Sequence, residues 1–256
     1  LYSRIPVLGA KRGHLAVMDW TLRLLRFARN DGDDAHFVEG DLGTGGNTMS
    51  QRARMLVLLS GSGTTLQNFI DLVERGELPV EIVGVISSRR GVKGIERAEK
   101  HDIPTKIVAR KDFETWDEFN KALCDAVEPF QPDLIAFAGF MSLFRAPEKY
   151  YSRIMNVHPA LIPAFCGKGL YGHHVHEAVI ESGVKITGAT VHFVDEEYDH
   201  GPIILQKAVE VLDDDTPDSL AERVQAVERE IYPEAIRLFV EGRLRVEGRR
   251  VRILPR

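Results

Sequence analysis

The stretch 55–66, MLVLLSGSGTTL, decides the fold class, because it joins a short apolar run to a glycine-rich turn. A continuous apolar run of this length is typical of a strand buried on both faces of a parallel sheet. Apolar residues at helical spacing from Leu66 to Val73 then predict a helix over 65–75. Strand, glycine turn and helix in this order indicate the first unit of an α/β fold.

The same alternation continues along the chain. Apolar runs and helical spacing predict strands at 81–87, 103–108 and 133–138 and helices at 94–101 and 113–127. The less regular second half predicts strands at 153–157, 185–194 and 202–211, helices at 175–182 and 218–240, and a hairpin of 244–246 with 251–253. Right-handed crossovers between successive strands make such a sheet parallel. We therefore predict a Rossmann-like, mostly parallel sheet flanked by helices.

The first fifty-odd residues differ from the rest. The spacing of apolar residues predicts a short amphipathic helix at 12–29, and the Gly- and Asp-rich segment 30–47 has the composition of a linker. We interpret 1–54 as a short N-terminal extension, poorly ordered or non-native, with Met49 as the natural start and 55–256 as the folded domain. A targeting or docking arm is the alternative interpretation.

Composition excludes several classes of protein. No apolar run approaches the roughly 18 residues of a membrane helix, and a net charge of −5 offers no general attraction for nucleic-acid phosphates. Cys124 and Cys166 are too few for a disulfide scaffold or a four-thiolate zinc site. We expect a cytoplasmic protein that acts on small molecules, with no nucleic acid and no membrane as partners. The oligomeric state stays open, with a homodimer among the alternatives.

The turn after the first strand is a candidate phosphate site. Its glycines let backbone N–H groups approach an anion at a helix N-terminus, and the hydroxyls of Thr64 and Thr65 add donors. Two features argue against a dinucleotide: Leu66 replaces the third glycine of the dinucleotide fingerprint, and the second strand runs into SSRR at 87–90 without an acidic residue. The arginine pair leaves NADP open, since arginine can accept a 2′-phosphate.

Asn156 and His158 form a second constellation. They end a predicted strand, where alternation places both side chains on one face, so that an amide donor and an imidazole can meet one carbonyl group. Asp199 lies in the carboxylate-rich turn 196–202, and a carboxylate beside His158 would keep its imidazole protonated. The spacing leaves two other interpretations open: a buried structural histidine, and an aspartate that only forms the turn.

A metal site is the rival interpretation, suggested by Cys166, His173, His174 and His176. His174 and His176 lie on opposite faces of a strand and about 200° apart on a helix, so they do not converge on one zinc ion. Cys166 as a covalent acyl carrier lacks a nucleophile–base–carboxylate pattern. We expect no metal, and direct transfer between two bound substrates.

Four motifs in this order and spacing resemble one family. They are GSGTTLQ at 61–67, AGFM at 138–141, NVHPALIP at 156–163, and VHFV at 191–194 with DHGP at 199–202. From about residue 54 to about residue 246 the chain resembles the phosphoribosylglycinamide formyltransferases. The resemblance implies the formyltransferase fold for 55–256. It also implies transfer of a formyl group from 10-formyltetrahydrofolate, as co-substrate, to the amine of glycinamide ribonucleotide in de novo purine (IMP) biosynthesis.

The resemblance also implies the site residues, in three groups. The catalytic group is Asn156, His158 and Asp199. The group for glycinamide ribonucleotide is Gly63, Thr64 and Thr65 at the phosphate, with Gln225, Ala226, Val227 and Glu228, of which Glu228 would meet the ribose. The folate group is Met141, Ser142, Leu143 and Phe144, with Asp195, Glu196, Glu197, Tyr198 and Asp199.

The chain departs from the family pattern at three places. Ser142 stands where arginine often follows the methionine, and Trp116 stands where some members carry an arginine that touches the folate. The segment 165–172 is longer than in the family pattern, and its Lys168 would suit an anion.

Two related enzymes fit less well. A methionyl-tRNA formyltransferase would usually continue into an RNA-contacting domain after residue 246, and a formyltetrahydrofolate hydrolase would carry a regulatory domain before residue 54.

Overall fold

The computed structural model describes residues 52–256, which form a nine-stranded sheet in the order β3-β2-β1-β4-β5-β6-β7-β9-β8. The strands are β1 (Ala53–Leu59), β2 (Val80–Ser87), β3 (Thr105–Ile107), β4 (Leu134–Phe137), β5 (Ile154–His158), β6 (Ile186–Phe193), β7 (Ile203–Glu210), β8 (Leu244–Glu247) and β9 (Arg250–Ile253). The helices are α1 (Thr64–Glu74), α2 (Lys93–Lys100), α3 (Trp116–Val127), α4 (His173–Ser182) and α5 (Pro217–Val240).

Most of the predictions for the N-terminal extension cannot be compared with this structure, and one boundary can. The helix at 12–29, the linker at 30–47 and the start at Met49 lie outside the described residues. Because β1 begins at Ala53, residues 53–54 belong to the sheet although the sequence placed them in the extension.

Strands β1 to β5 form the parallel part of the sheet. β1 pairs parallel with β2 and β4, β2 with β3, and β4 with β5, so their carboxyl ends share one edge. Helix α3 begins at Trp116, later than predicted, because Thr115 caps it. The Thr115 hydroxyl accepts from the Glu118 N–H at 3.2 Å, and the Glu118 carboxylate accepts from the Thr115 N–H at 3.3 Å.

Strand β5 is the boundary between the parallel and antiparallel parts. It pairs parallel with β4 and antiparallel with β6, in a register that sets Asn156 opposite His192. Strands β6 and β7 pair antiparallel, as the alternation predicted. The predicted terminal hairpin, β8 with β9, also forms, and it joins the sheet where Arg250 pairs with Ile203 of β7.

Apolar layers cover both faces of the sheet. Val57 of β1 belongs to a buried cluster with Phe69 of α1 and Ile236 of α5. Its neighbour Leu58 belongs to a second cluster with Leu123 of α3. Successive side chains of β1 therefore pack alternately into the two layers, as expected for a strand inside a sheet that is covered on both faces.

Tyr232 joins α5 to the sheet just beneath the strand ends. Its side chain is fully buried, and its hydroxyl lies 2.8 Å from the Met155 carbonyl oxygen and 3.1 Å from that of Phe137. The ring also packs edge-on against Phe69. Because Met155 precedes Asn156, this contact fixes α5 relative to the functional end of β5.

Asp215 fixes the start of α5. Its side chain is 3% exposed, and its carboxylate accepts from the Arg223 guanidinium, from the Ser219 hydroxyl at 2.7 Å and from the Leu212 N–H at 2.8 Å. The hydrogen bond from Arg223 is the largest of the causes that hold the pKa of Asp215 well below its usual range. The carboxylate is therefore ionised at neutral pH and anchors the helix that carries Gln225 and Glu228.

Candidate active site

A cavity of about 650 Å³ opens at the carboxyl ends of β1, β4 and β5. Ligands of open α/β sheets bind in this position. Residues from the strand ends, α4 and α5 contribute to the lining, among them Thr64, Thr65, Met141, Asn156, His158, Lys168, His173, His176, Tyr198, Asp199, Gln225 and Glu228. The cavity therefore unites residues from all three groups predicted from the sequence.

The three predicted catalytic side chains converge in this cavity. Asn156 Nδ2 lies 3.4 Å from Asp199 Oδ1, and His158 Nδ1 lies 3.5 Å from Asp199 Oδ2. Asn156 Nδ2 also donates to His192 Nε2 at 3.2 Å. That nitrogen is the acceptor because His192 Nδ1 lies 2.8 Å from the Phe193 carbonyl oxygen and carries the ring proton.

His158 departs from the prediction in its charge. Its side chain is buried, and Nε2 donates to the Phe165 carbonyl oxygen at 2.8 Å. Burial lowers the pKa of His158, and this effect outweighs Asp199 and the Phe165 carbonyl, which both raise it. The expectation of a protonated imidazole is therefore wrong, because desolvation of the ring exceeds the attraction of the carboxylate. The ring is neutral at rest, with Nδ1 free to accept a proton beside Asp199.

Asp199 is the charged member of the cluster. Burial raises the pKa of its carboxyl, but the contacts with His192 and His158 and the Gly167 N–H at 3.0 Å outweigh burial and leave the pKa lowered. Its backbone lies in the left-handed region, with φ of +53°. Two residues later, a Cβ on Gly201 would lie 1.8 Å from the Phe193 carbonyl oxygen. Glycine at 201 therefore lets the β6–β7 turn close and bring Asp199 to β5.

The glycine loop forms the amino end of α1. Gly63 is the residue before the helix, with φ of +70°, and Thr64 and Thr65 occupy the first turn and line the cavity. The first turn contains no acidic residue. Its N–H groups lack partners within the helix and are suited to an anion.

Of the four nucleotide-binding residues predicted on helix α5, two line the cavity and two do not. Gln225 and Glu228 line the cavity, because residues three apart share a helix face. Ala226 is exposed and Val227 packs against the core, so neither side chain reaches the cavity. Burial raises the pKa of Glu228 to about 7, although its half-buried side chain retains access to the cavity.

The predicted folate residues are divided between two cavities. Met141, Tyr198 and Asp199 line the main cavity. Phe144, Asp195 and Glu196 line a second cavity of about 370 Å³, with Ile154 and Phe193 among its apolar wall residues. Ser142, Leu143 and Glu197 line neither cavity.

The residues that suggested a metal site or an NADP site do not lie together in one cavity. His173 and His176 line the main cavity, whereas exposed His174 pairs with Glu177 at 3.0 Å. Within 52–256, no set of three or more histidine, cysteine, aspartate or glutamate side chains is placed to hold a metal ion. The arginines at 89 and 90, considered for NADP, line neither cavity. Burial raises the pKa of Cys166, so its thiol stays protonated.

His192 is a residue of this cluster that sequence reasoning did not single out. In the sequence it stands only within the motif at 191–194, yet it is buried and contacts Asn156 directly. The available signal was a histidine on an otherwise apolar strand. To place His192 beside Asn156 requires the register of β5 against β6, which alternation within one strand does not give.

The described residues match known proteins in sequence and in fold. The model of the formyl transferase family matches residues 53–236. Glycinamide ribonucleotide transformylase 1 from Symbiobacterium toebii is 42% identical with a TM-score of 0.75, covering 83% of this chain and 100% of that chain. Phosphoribosylglycinamide formyltransferase of Haemophilus influenzae is 36% identical, covering 76% of this chain and 90% of the relative.

Longer relatives also match. The trifunctional purine biosynthetic protein adenosine-3 of Bos taurus is 39% identical over 77% of this chain, which spans 19% of that protein's length. None of the described helices combines the length and apolarity needed to span a membrane. With a family match over most of the chain and a similar protein that is covered over its whole length, the chain belongs to the formyl transferase family, as one of its phosphoribosylglycinamide formyltransferases.

Proposed function

We propose that this chain transfers a formyl group from 10-formyltetrahydrofolate to the amine of N1-(5-phospho-D-ribosyl)glycinamide in purine biosynthesis, by direct attack. One observation carries the proposal: the side chains of Asn156, His158 and Asp199 converge in a cavity that also contains a helix N-terminus suited to phosphate. The names of the relatives support the choice of substrate. The cytoplasmic location and the homodimer stay predictions.

The nucleotide would lie between α1 and α5. Gly63, Thr64 and Thr65 would hold its phosphate through backbone N–H groups and hydroxyls. Glu228, on the facing helix, would accept hydrogen bonds from the ribose hydroxyls. This orientation directs the glycinamide amine toward β5, where the catalytic side chains lie.

Asn156 would stabilise the charge that forms during attack. As the amine nitrogen bonds to the formyl carbon, the electron pair of the carbonyl bond moves to oxygen. One Asn156 Nδ2–H donates to His192 and holds the amide in place, and the other, which is directed at Asp199 Oδ1 over 3.4 Å, can turn to that oxygen. A preorganised donor of this kind typically contributes about 2.7–4 kcal/mol.

His158 would move the proton. Its neutral ring accepts the proton that the amine loses on attack, and ionised Asp199 stabilises the imidazolium so formed. The imidazolium then donates this proton to N10 of the folate as the carbon–nitrogen bond breaks. The electron pair on oxygen re-forms the carbonyl, leaving formylated glycinamide ribonucleotide and tetrahydrofolate.

The folate would bind against the two loops beside this cluster. The segment 141–144 after β4 and the turn 195–199 after β6 supply walls of both cavities. The apolar second cavity, with Asp195 and Glu196 on its wall, suits a flat ring system that carries N–H donors. Backbone N–H groups at the start of α1 and side chains lining the cavity would supply the donors and acceptors of this scheme.

Three variants test the assignment. We expect Asn156→Ala, His158→Ala and Asp199→Asn each to lower kcat at least about 100-fold, while calorimetry shows nucleotide affinity within a few fold of wild type. His174→Ala is the matched histidine control and should leave both quantities unchanged. Near-normal turnover of the His158 or Asp199 variant would contradict the roles given to them.

The pH dependence has a definite sign. Activity should fall as pH falls through the lowered pKa of His158, because the protonated ring cannot accept a proton. Asp199→Asn removes a charge that raises this pKa, so the fall in its residual activity should move to lower pH. An NMR titration of His158 gives an independent reading. Release of formate without nucleotide would indicate a hydrolase instead.

A further inference from the structure

Two carbonyl groups of the glycine loop are bound by helix α2. The Gly94 N–H donates to the Gly61 carbonyl oxygen at 3.1 Å, and Arg97 Nε donates to the Ser62 carbonyl oxygen at 3.0 Å. Glycine at 94 lets the helix come this close, since a Cβ there would lie 3.1 Å from the Gly61 oxygen and 2.6 Å from the Leu59 side chain. Neither Gly94 nor Arg97 lines the main cavity, so both carbonyl groups are bound from behind the loop.

Peptide geometry fixes where the N–H groups of this loop point. In a planar trans peptide, the N–H is antiparallel to the preceding C=O. Because the carbonyl groups of Gly61 and Ser62 face α2, the N–H groups of Ser62 and Gly63 face the opposite side. Within 52–256, no N–H group of residues 62–65 donates to a backbone carbonyl. Thr64 and Thr65 line the main cavity, so the loop presents hydrogen-bond donors at this end of it.

The side chain of Arg97 is held by contacts on both sides. Nη1 donates to the Gln67 side-chain oxygen at 3.0 Å, and the Gln67 amide nitrogen donates to Asp71 at 2.8 Å, which fixes the end of the amide that faces Arg97. The aliphatic part of Arg97 packs against the loop, since its Cδ lies 3.5 Å from the position of a Cβ on Gly63. Both acceptors of the guanidinium are neutral, so its positive charge can support an anion on the other side of the loop.

We propose that Arg97 is a positioning residue for the substrate phosphate: it orients the glycine loop so that backbone N–H groups converge on the anion, without touching the anion itself. The inference rests on the proposed function, because that function places a phosphate at the start of α1. Without the Arg97 contact, the peptide between Ser62 and Gly63 is free to rotate and to turn its carbonyl oxygen toward the phosphate, which that oxygen would repel. Arg97 takes no part in formyl transfer or in folate binding.

Arg97→Met tests this role, because it removes the donors and the charge but keeps an unbranched apolar side chain against the loop. The affinity for ribose 5-phosphate, measured by calorimetry, should fall about tenfold, as expected for the loss of one hydrogen bond from a charged group. The KM for glycinamide ribonucleotide should rise by a similar factor, while kcat and the KM for the folate stay within about twofold of wild type. Glycinamide riboside lacks the phosphate, and its kcat/KM should be equal in both proteins.

Two further variants complete the test. Arg75→Met is the matched control, because Arg75 follows the other end of α1 and pairs with Glu77 at 2.7 Å; it should bind ribose 5-phosphate as wild type does. Arg97→Lys keeps the charge and one donor, and its affinity should lie between those of wild type and Arg97→Met. Urea unfolding identifies a variant that has lost its fold, and if Arg97→Met has done so, the affinity of Arg97→Lys decides.

The outcomes separate this inference from the proposed function. The inference is overturned if wild type does not bind ribose 5-phosphate, or if the folded Arg97 variants bind it as wild type does. An equal loss of kcat/KM with glycinamide riboside would also overturn it, because the effect would then not concern the phosphate. Ribose 5-phosphate binding that depends on Arg97, without formyl transfer, would refute the proposed function alone; transfer without dependence on Arg97 would refute this inference alone.

Discussion

Replacement of Gly63 by alanine should disrupt the glycine loop, and the structure gives the size of the effect. Gly63 has φ of +70°, and an added Cβ would lie 2.6 Å from the Gly94 Cα. That contact is with backbone, which cannot turn aside. Helix α2 is also fixed to the loop, since the Gly94 N–H donates to the Gly61 carbonyl oxygen at 3.1 Å and Arg97 Nε to that of Ser62 at 3.0 Å.

The magnitude follows from three contributions. A left-handed backbone costs a non-glycine residue about 1–2 kcal/mol, and overpacking costs about 1–3 kcal/mol. The loss of chain freedom in the unfolded state returns about 0.4–1 kcal/mol. We therefore expect Gly63→Ala to lower the free energy of unfolding by about 3 kcal/mol and to weaken phosphate binding, because relief of the clash moves the N–H groups of α1.

Gly61→Ala is the matched control in the same loop. A Cβ at this position meets no atom within 4 Å, and its φ does not require glycine. Its stability should equal or slightly exceed that of wild type. Urea unfolding gives the stability of both variants, and calorimetry with ribose 5-phosphate gives their affinity. Equal stability of the two variants would refute the steric argument.

Further predictions concern the scaffold. Tyr232→Phe should cost about 1–3 kcal/mol in urea unfolding, because the carbonyl oxygens of Phe137 and Met155 lose a buried donor; an unchanged midpoint would contradict this. Asp215→Asn should cost about 2 kcal/mol at pH 7, and since the native pKa is lowered, the gap to wild type should close only below about pH 4. A chain beginning at Met49 should keep full turnover and lose less than about 1 kcal/mol; a larger loss would assign the preceding residues to the fold.

Sequence reasoning reached the architecture because periodicity reports it directly. The apolar runs that became β1, β2 and β4 and the alternation of β6 and β7 are local patterns, and local patterns fix element type. The convergence of Asn156 and His158 on one face followed from the same rule. Attachment of the terminal hairpin to β7 did not, because the pairing of Ile203 with Arg250 has no local signature.

The electrostatics of the site were less accessible. The charge state of His158 depends on the balance between burial and one carboxylate, and burial is a property of the whole fold. Likewise, the sequence shows Trp116 only as the replacement of an arginine that touches the folate in some members, whereas the structure places the Arg145 guanidinium on its ring. Residue types and spacing identify which groups meet, but the sign of their interaction requires their surroundings.

The change of strand direction at β5 affects how this enzyme can diversify. Loops that follow parallel strands can gain or lose residues singly, with little consequence for the sheet. The Asn156–His192 pair has no such freedom, since a one-residue slip of β6 would exchange its two buried faces and remove His192 from its place opposite Asn156. Mutation can therefore explore new substrates by insertion and deletion in the loops, while the chemistry is inherited unchanged with the register of two strands.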